Sequence, residues 1–284
     1  MRTQKKNLVI LLADALRSDY WPDLEGTTVE TIAQGPNTPQ NFTAILSGVC
    51  PNKHGVRFFT MARNGYREGN PQKQRCQVPT VLDLKQNGYD TSYYDHPDDP
   101  CYLIFNNPPR KGLGELEEPF VYVERETATH VIYGKNWRLD DVEIAKKKDG
   151  RIYEDLRGRD YIDLMRQKEV DYIEDYKRGV EIAEERLHEI VDVLEKMDVY
   201  EDTLVVFASD HGECFPSDNC SGGIIHNKQC SHVINIKTTF VDENLEIEEP
   251  LLSKDIIKKM DARLAKSEVE IGCRVETHQL IPIT

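Results

Sequence analysis

No stretch of this 284-residue chain approaches the roughly 20 consecutive apolar residues that a membrane-spanning helix needs. The chain also lacks any excess of basic residues. Thirty-six Lys and Arg stand against 50 Asp and Glu, a formal net charge of −14. That balance argues against a nucleic-acid backbone as the main partner, because such binders present clustered Lys and Arg. It leaves room for a small anionic substrate, which needs only a local positive site or a metal. The spacing of a small disulfide scaffold is missing too. The seven cysteines are Cys50, Cys76, Cys101, Cys214, Cys220, Cys230 and Cys273. An odd count without such spacing predicts reduced thiols and a cytoplasmic setting. There is no internal repeat and no low-complexity tract. What is present is a 39% hydrophobic, 30% charged composition, long enough to bury a large core without cross-links.

The N-terminus, "MRTQKKNLVILLADAL", is basic and then apolar, like a signal peptide. Its apolar run is short, is interrupted by Asp14 and has no small-residue cleavage site after it. The run therefore reads as a buried strand. Leu8 to Ala13 suits a strand covered on both faces, as in a parallel sheet. "TVLDLKQNGYDTSYYD" (80–95) reads as a helix, a stop at Gly88, and a strand. "PFVYVE" (119–124), "LVVFA" (204–208) and "INIKTTFVD" (234–242) are further strands. Within 171–197, Tyr176, Val180, Ala183, Leu187, Ile190 and Leu194 recur at steps of four and three, which predicts an amphipathic helix. Strands alternating with helices predict an α/β fold with a mostly parallel central sheet flanked by helices. Residues 1–284 are expected to form a single domain, with an exposed insertion or cap around the charged stretch 138–170. Residues 97–118 read as a long loop.

In such sheets, ligands bind beyond the carboxyl ends of strands. Asp14 directly follows one apolar strand, and Asp210 and His211 follow another. Carboxylates with an imidazole suit Zn²⁺ or Mn²⁺, and oxygen-rich variants suit Mg²⁺ or Ca²⁺. The competing reading makes Asp14 and Asp210 helix N-caps, a task Asp performs well. Thr38 stands at a loop-to-helix junction, as a cap or a nucleophile. A structural zinc on Cys214, Cys220 and Cys230 with neighbouring histidines is a further option, although the spacing matches no zinc knuckle. His54 reads as a turn residue, His188 as solvated, and Arg17 with Asp19 as either support for the site or a surface ion pair.

Six segments, "NLVILLADALRSDYW", "NTPQNFTAILSGVCPNKHGV", "TVLDLKQNGYDTSYYD", "PFVYVERETATHVIYG", "YKRGVEIAEERLHEIVDVLE" and "TLVVFASDHGEC", stand in the order seen in the alkaline phosphatase superfamily. The chain resembles its sulfatase-like and phosphodiesterase-like branch most closely, from about residue 7 to 240. The resemblance implies a three-layer α/β sandwich and a hydrolase or transferase of phosphate or sulfate esters. It implies one or two divalent ions and a metal-bound nucleophile. Asp14 matches the first metal aspartate, and Asp210-His211 the Asp-His pair. The family nucleophile lies ten residues before the glycine that falls at Gly48, which is Thr38. Sulfatases carry a Cys or Ser there, with Pro and Arg in the pattern; here those places hold Gln40 and Phe42. An unmodified Thr resembles the phosphodiesterase-like and phosphomutase-like members. Phosphate-ester hydrolysis is therefore expected, with sulfate-ester hydrolysis, phosphotransfer and a degenerate non-catalytic scaffold as alternatives. Glu126 and His130 resemble a second metal pair, and His130 also matches a substrate-contacting histidine. His226 and Lys228 match a family position that binds metal or substrate, with His232 in reserve.

Overall fold

The computed structural model describes residues 6–56, 76–95, 100–131, 133–134, 171–218, 230–243 and 251–256. Their frame is a seven-stranded sheet in the order β3-β4-β1-β5-β6-β2-β7. The strands are β1 (Asn7–Ala13), β2 (Gly26–Ile32), β3 (Asp90–Tyr94), β4 (Phe120–Glu126), β5 (Thr203–Ser209), β6 (Asn235–Val241) and β7 (Leu251–Leu252). β3, β4, β1 and β5 run parallel, β6 lies antiparallel to both β5 and β2, and β7 is parallel to β2. The sheet is thus mostly parallel, as expected. β2 is an addition: its sequence, GTTVETI, alternates exposed and buried positions too weakly to stand out as a strand.

β1 sits in the middle, and all seven of its residues are buried. Continuous apolarity is what a strand packed on both faces requires. On one face, Leu8, Ile10 and Leu12 meet Phe42, Ile45 and Leu46 of helix α1 (Thr38–Ser47). The short helices α2 (Pro51–His54) and α3 (Pro100–Ile104) follow α1 in the chain. On the other face, Val9, Leu11 and Ala13 pack against the buried stripe of α4 (Tyr172–Lys196). That stripe consists of the periodic residues read from the sequence, plus Gly179. Each fully buried aliphatic side chain stabilises the sandwich by ~1.5–3 kcal/mol. The Asp171 carboxylate caps α4 by accepting from Glu174 N at 3.3 Å. A last short helix, α5 (Ser231–Ile234), leads into β6.

Three local expectations change. Residues 81–87 form a 3-10 helix and not an α-helix, although Gly88 ends it in the left-handed region (φ 88°). The expected loop 97–118 contains α3 and a 3-10 turn at Leu113–Glu115. The cysteines are not uniformly reduced. Cys214 is disulfide-bonded, whereas Cys50, Cys76, Cys101 and Cys230 are free thiols. The insertion at 138–170 lies outside the described residues. No helix among the described residues is long and apolar enough to cross a membrane.

Candidate metal centre

Strand register places the site. Ala13 pairs with Ser209 of β5 and with Glu126 of β4. The next residues, Asp14 and Asp210, therefore leave the sheet side by side at its carboxyl edge. Neither caps a helix. Asp14 is followed by Ala15 in the left-handed region (φ 64°), and Asp210 runs into irregular chain. α1 is capped by Asn37, whose side chain accepts from Gln40 N. Thr38 is thus released from the capping role and stands as the first residue of the helix, 1% exposed.

The Thr38 hydroxyl points into the space between the two strand ends. Its Oγ1 lies 3.2 Å from Asp14 Oδ1 and 3.3 Å from His211 Nε2. His211 Nε2 is 3.6 Å from Asp14 Oδ1 and 3.6 Å from Asp210 Oδ2. His211 Nδ1 lies 2.8 Å from the Gly212 carbonyl, which can only accept. That contact fixes the proton on Nδ1 and turns the lone pair of Nε2 toward the site. Among the described residues, the ligand atoms of Asp14, Asp210 and His211 form a buried group, all within 4.8 Å of one another.

The two carboxylates differ in their partners. Asp210 Oδ1 accepts from Ala15 N (3.1 Å) and His211 N (2.8 Å), while its buried Oδ2 has no hydrogen-bond partner among the described residues. Asp14 Oδ2 receives Arg125 Nε at 2.9 Å and Nη2 at 2.6 Å. Burial opposes ionisation of Asp14, but Arg125, then His130 and His211, outweigh it and hold that carboxyl well below the usual range. Burial pushes the Asp210 carboxyl up; His211 works against this and the Asp14 charge adds to it. A buried carboxylate with an unsatisfied oxygen is costly alone. Two carboxylates and one imidazole nitrogen converging there form a donor set that fits a divalent cation.

The surrounding loops are held from several sides. Arg17, 3% exposed, bonds Asp19 on its own loop and Asp218 on the loop after β5, at 2.6–2.9 Å. It stacks on Phe215 at 4.2 Å. It is therefore a clamp between the loops that follow β1 and β5 and not a solvated surface pair. Tyr176 of α4 accepts from Arg17 N and donates to Ala15 O. Gly212 packs against α5: a Cβ there would lie 1.9 Å from the His232 carbonyl oxygen. Only glycine allows that approach.

Among the other sequence-derived candidates, His130 is half-buried near Asp14, with Nδ1 2.8 Å from the Val131 carbonyl. Glu126 is buried outside the three-residue ligand group, its Oε1 accepting from Thr127 N and Ala128 N at 2.7 Å. His226 and Lys228 lie outside the described residues. His232 is half-exposed on α5, 3.8 Å from Asp19. His54 is fully buried and accepts from Val56 N, as a turn residue should. His188 is exposed. Cys214, Asp218 and Cys230 do converge, but the disulfide at Cys214 removes the thiolate that a structural zinc would use. Sequence reading passed over Arg125 and Asp95. The charged triplet Glu124-Arg125-Glu126, buried at the end of an apolar strand, is the signal that marks the first of these.

No protein-family model matches the chain. The low-salt glycan biosynthesis sulfotransferase Agl7 of Haloferax volcanii is 27% identical over 258 residues, a match covering 87% of this chain and 56% of that protein. The chain thus spans little more than half the length of this curated relative. Among solved structures, a sulfatase (YidJ) from Bacteroides fragilis matches with a TM-score of 0.59 at 16% identity, over 98% of this chain and 77% of that one. The C-terminal periplasmic domain of EptC from Escherichia coli, in complex with Zn, matches with a TM-score of 0.57 at 12% identity, over 92% and 82%. The mostly parallel sandwich, with Asp14, Asp210 and His211 at its carboxyl edge, accordingly has the α/β fold of these sulfatase and EptC structures.

Proposed function

We propose that this chain is a metal-dependent enzyme that cleaves a small anionic phosphoric ester, mono- or diester, with the Thr38 hydroxyl as nucleophile. One observation carries the reading: Thr38 Oγ1 lies within 3.3 Å of both Asp14 Oδ1 and His211 Nε2, beside the unsatisfied Asp210 Oδ2. Asp14, Asp210 and His211 would hold the ion, Zn²⁺ or Mn²⁺ by donor type. When bound, it supplies positive charge that makes a hydroxyl more acidic and offsets the charge of the ester. The zinc in the similar EptC structure supports a divalent ion.

The chain's own groups supply the rest. The N-terminus of α1 places its partial positive charge at Thr38, which favours an anionic oxygen there. The loops clamped by Arg17 and Tyr176 hold the hydroxyl and its neighbours in place, so little reorganisation is needed at the moment of reaction. The Oγ1–phosphorus bond forms as the bond to the leaving oxygen breaks; the Thr38 proton leaves toward Asp14 Oδ1, to which the hydroxyl donates, and on to solvent, and the leaving oxygen takes a proton from solvent. His130, half-buried near Asp14, would meet the ester or the departing oxygen. Water, or an acceptor alcohol, then takes the group from Thr38.

A second reading is transfer or hydrolysis of a sulfate ester, favoured by the identity to the Agl7 sulfotransferase. One experiment tests both. Metal-stripped protein is reloaded with Zn²⁺ or Mn²⁺ and assayed on p-nitrophenyl phosphate, bis-p-nitrophenyl phosphate and p-nitrophenyl sulfate. Metal-dependent cleavage is expected, falling by about 10³-fold or more in Thr38→Ala and less in Thr38→Ser. The preferred ester chooses between the readings. Turnover that survives in Thr38→Ala would remove the nucleophile, and a chain that neither binds metal nor turns over any ester would be a non-catalytic copy of the fold.

A further inference from the structure

We propose that Cys214 and Cys230 form a thiol–disulfide exchange site, in which the thiol of Cys230 displaces the present partner of Cys214 and ties the loop after β5 to the start of α5. Cys214 is disulfide-bonded, and Cys230 is a free thiol. Their two sulfurs, with a carboxylate oxygen of Asp218, lie within 4.8 Å of one another. Both residues are buried, Cys214 at 2% and Cys230 at 5% exposure. They pack with Val233 and Ile234 in a small apolar cluster of their own. Among the described residues, the other free thiols, Cys50, Cys76 and Cys101, stand outside that cluster. Cys230 is therefore the thiol placed to meet this disulfide, and the apolar surround favours it over small thiols arriving from solvent. Asp218 does not turn the group into a metal site. Its Oδ2 is already held by Arg17 Nη1 at 2.6 Å and by Phe215 N at 2.7 Å.

The step balances without an added oxidant or reductant. The Cys230 thiolate attacks the Cys214 sulfur, the Cys214–Cys230 bond forms, and the existing bond of Cys214 breaks. The electron pair leaves on the displaced sulfur, which takes up, through solvent, the proton that Cys230 gave up. The numbers of thiols and of disulfides stay the same. Burial raises the Cys230 thiol above its usual range. Backbone N–H groups of His232 and Val233 and the charge of Arg17 work against this, and the Asp218 charge adds to it. At neutral pH the exchange therefore runs through a small thiolate fraction, and it accelerates as pH rises. The new bridge acts on the segment that carries His211. Gly212 N already donates to Val233 O at 3.0 Å, and the Gly212 backbone packs against the His232 carbonyl. A Cys214–Cys230 bond adds a covalent tie between the same two segments. Neither sulfur belongs to the group formed by Asp14, Asp210 and His211, so the exchange needs no bound ion.

The test maps the bonds of Cys214. Full-length protein is kept free of oxidant and reductant at pH 5, then moved to pH 7 or pH 8. Timed samples are quenched in acid, alkylated, digested without reduction and mapped by mass spectrometry. Two linkages of Cys214 are expected in one preparation, one of them to Cys230, with the number of free thiols constant. Their interconversion should be about 10-fold faster at pH 8 than at pH 7, as the thiolate fraction of a high-pKa thiol rises. Cys230→Ser should show a single linkage of Cys214. Absence of a Cys214–Cys230 bond after a day at pH 8 would overturn the proposal. So would its appearance only with added oxidant and the loss of two thiols, which is oxidation and not exchange. A Cys214 that alkylates without reduction would leave no disulfide to exchange and would overturn it as well. If Cys230→Ser folds, by circular dichroism, yet still shows a mixture, another thiol is the attacker and the assignment of Cys230 is wrong. Should that variant fail to fold, the linkages and rates in the unaltered protein decide.

Discussion

The carboxyl ends of β1 and β5 lie side by side, and each delivers a fully buried aspartate, yet the protein treats the two in opposite ways. At the β1 end, Asp14 is compensated by a guanidinium of the chain itself and is held firmly ionised. At the β5 end, Asp210 receives two backbone N–H groups on one oxygen, has the other unsatisfied among the described residues, and is pushed toward the neutral form. Burial is the same; the available countercharge differs. The contrast teaches where folding is self-sufficient and where it waits for a ligand. The β1 end is complete in the bare chain, and the β5 end is the one that the proposed cation would complete.

The sharpest way to break this comparison is to neutralise each carboxylate in turn. Asp14→Asn should destabilise the protein by about 3–5 kcal/mol, because it strands the buried Arg125. Asp210→Asn should raise the thermal midpoint of the metal-free protein, by removing about 1–3 kcal/mol of unsatisfied burial. Both should abolish metal-dependent turnover. Calorimetry of the two stripped variants checks the signs, and equal destabilisation would erase the asymmetry. The pH dependence follows. A folded carboxyl raised above its unfolded value holds more protons than the unfolded chain just above pH 3.8, so Asp210 makes the metal-free protein less stable as pH rises through that window. Asp14, held low, contributes stability that is lost as pH falls through its unfolded value. Bound metal should cancel the Asp210 slope.

The next effect is steric. Gly212→Ala forces a Cβ against the His232 carbonyl and should cost about 1–3 kcal/mol. It should also weaken metal binding by moving His211, which titration calorimetry would read. Tyr176→Phe removes one partner from the β1 loop, leaving Ala15 O and Arg17 N short of a bond. About 1–2 kcal/mol of stability should go, with a smaller loss of metal affinity than in Gly212→Ala, because the β1 end is braced by Arg125. A larger loss in Tyr176→Phe would mean that α4, and not Arg125, supports Asp14.

The smallest effect is expected at His54, which closes α2. Burial lowers the pKa of His54 to about 4. The unfolded chain therefore binds the proton first, and stability should fall as pH drops from about 6.5 toward 4, the window in which only the unfolded chain is protonated. His54→Gln should flatten that part of the stability curve, which pH-dependent thermal unfolding would read.

The legible parts of the site were those that sit next to a strong local pattern. Asp14 and Asp210-His211 each end an apolar run, so strand periodicity alone put them at a sheet edge. Thr38 was ambiguous by composition, because a hydroxyl at a helix start reads first as a cap. Asn37 takes that role one residue earlier, a difference too small for pattern reading to resolve. Arg125 was passed over for another reason: its partners, Asp14 and Asp95, lie 111 and 30 residues away. A charged residue closing a strand normally signals solvent, and only packing reveals that this one is dry.

By itself, the sequence determined the α/β architecture, the amphipathic helix and the order of the segments, because periodicity and turn residues act over a few neighbours. The tertiary structure alone decided that Asp14 is compensated and Asp210 is not, that Arg17 clamps two loops, and that Cys214 is oxidised while Cys230 is free. Those are properties of distant groups brought within 3–4 Å in a low-dielectric interior. There a single countercharge determines the state of a carboxylate, and no local pattern encodes which countercharge will arrive.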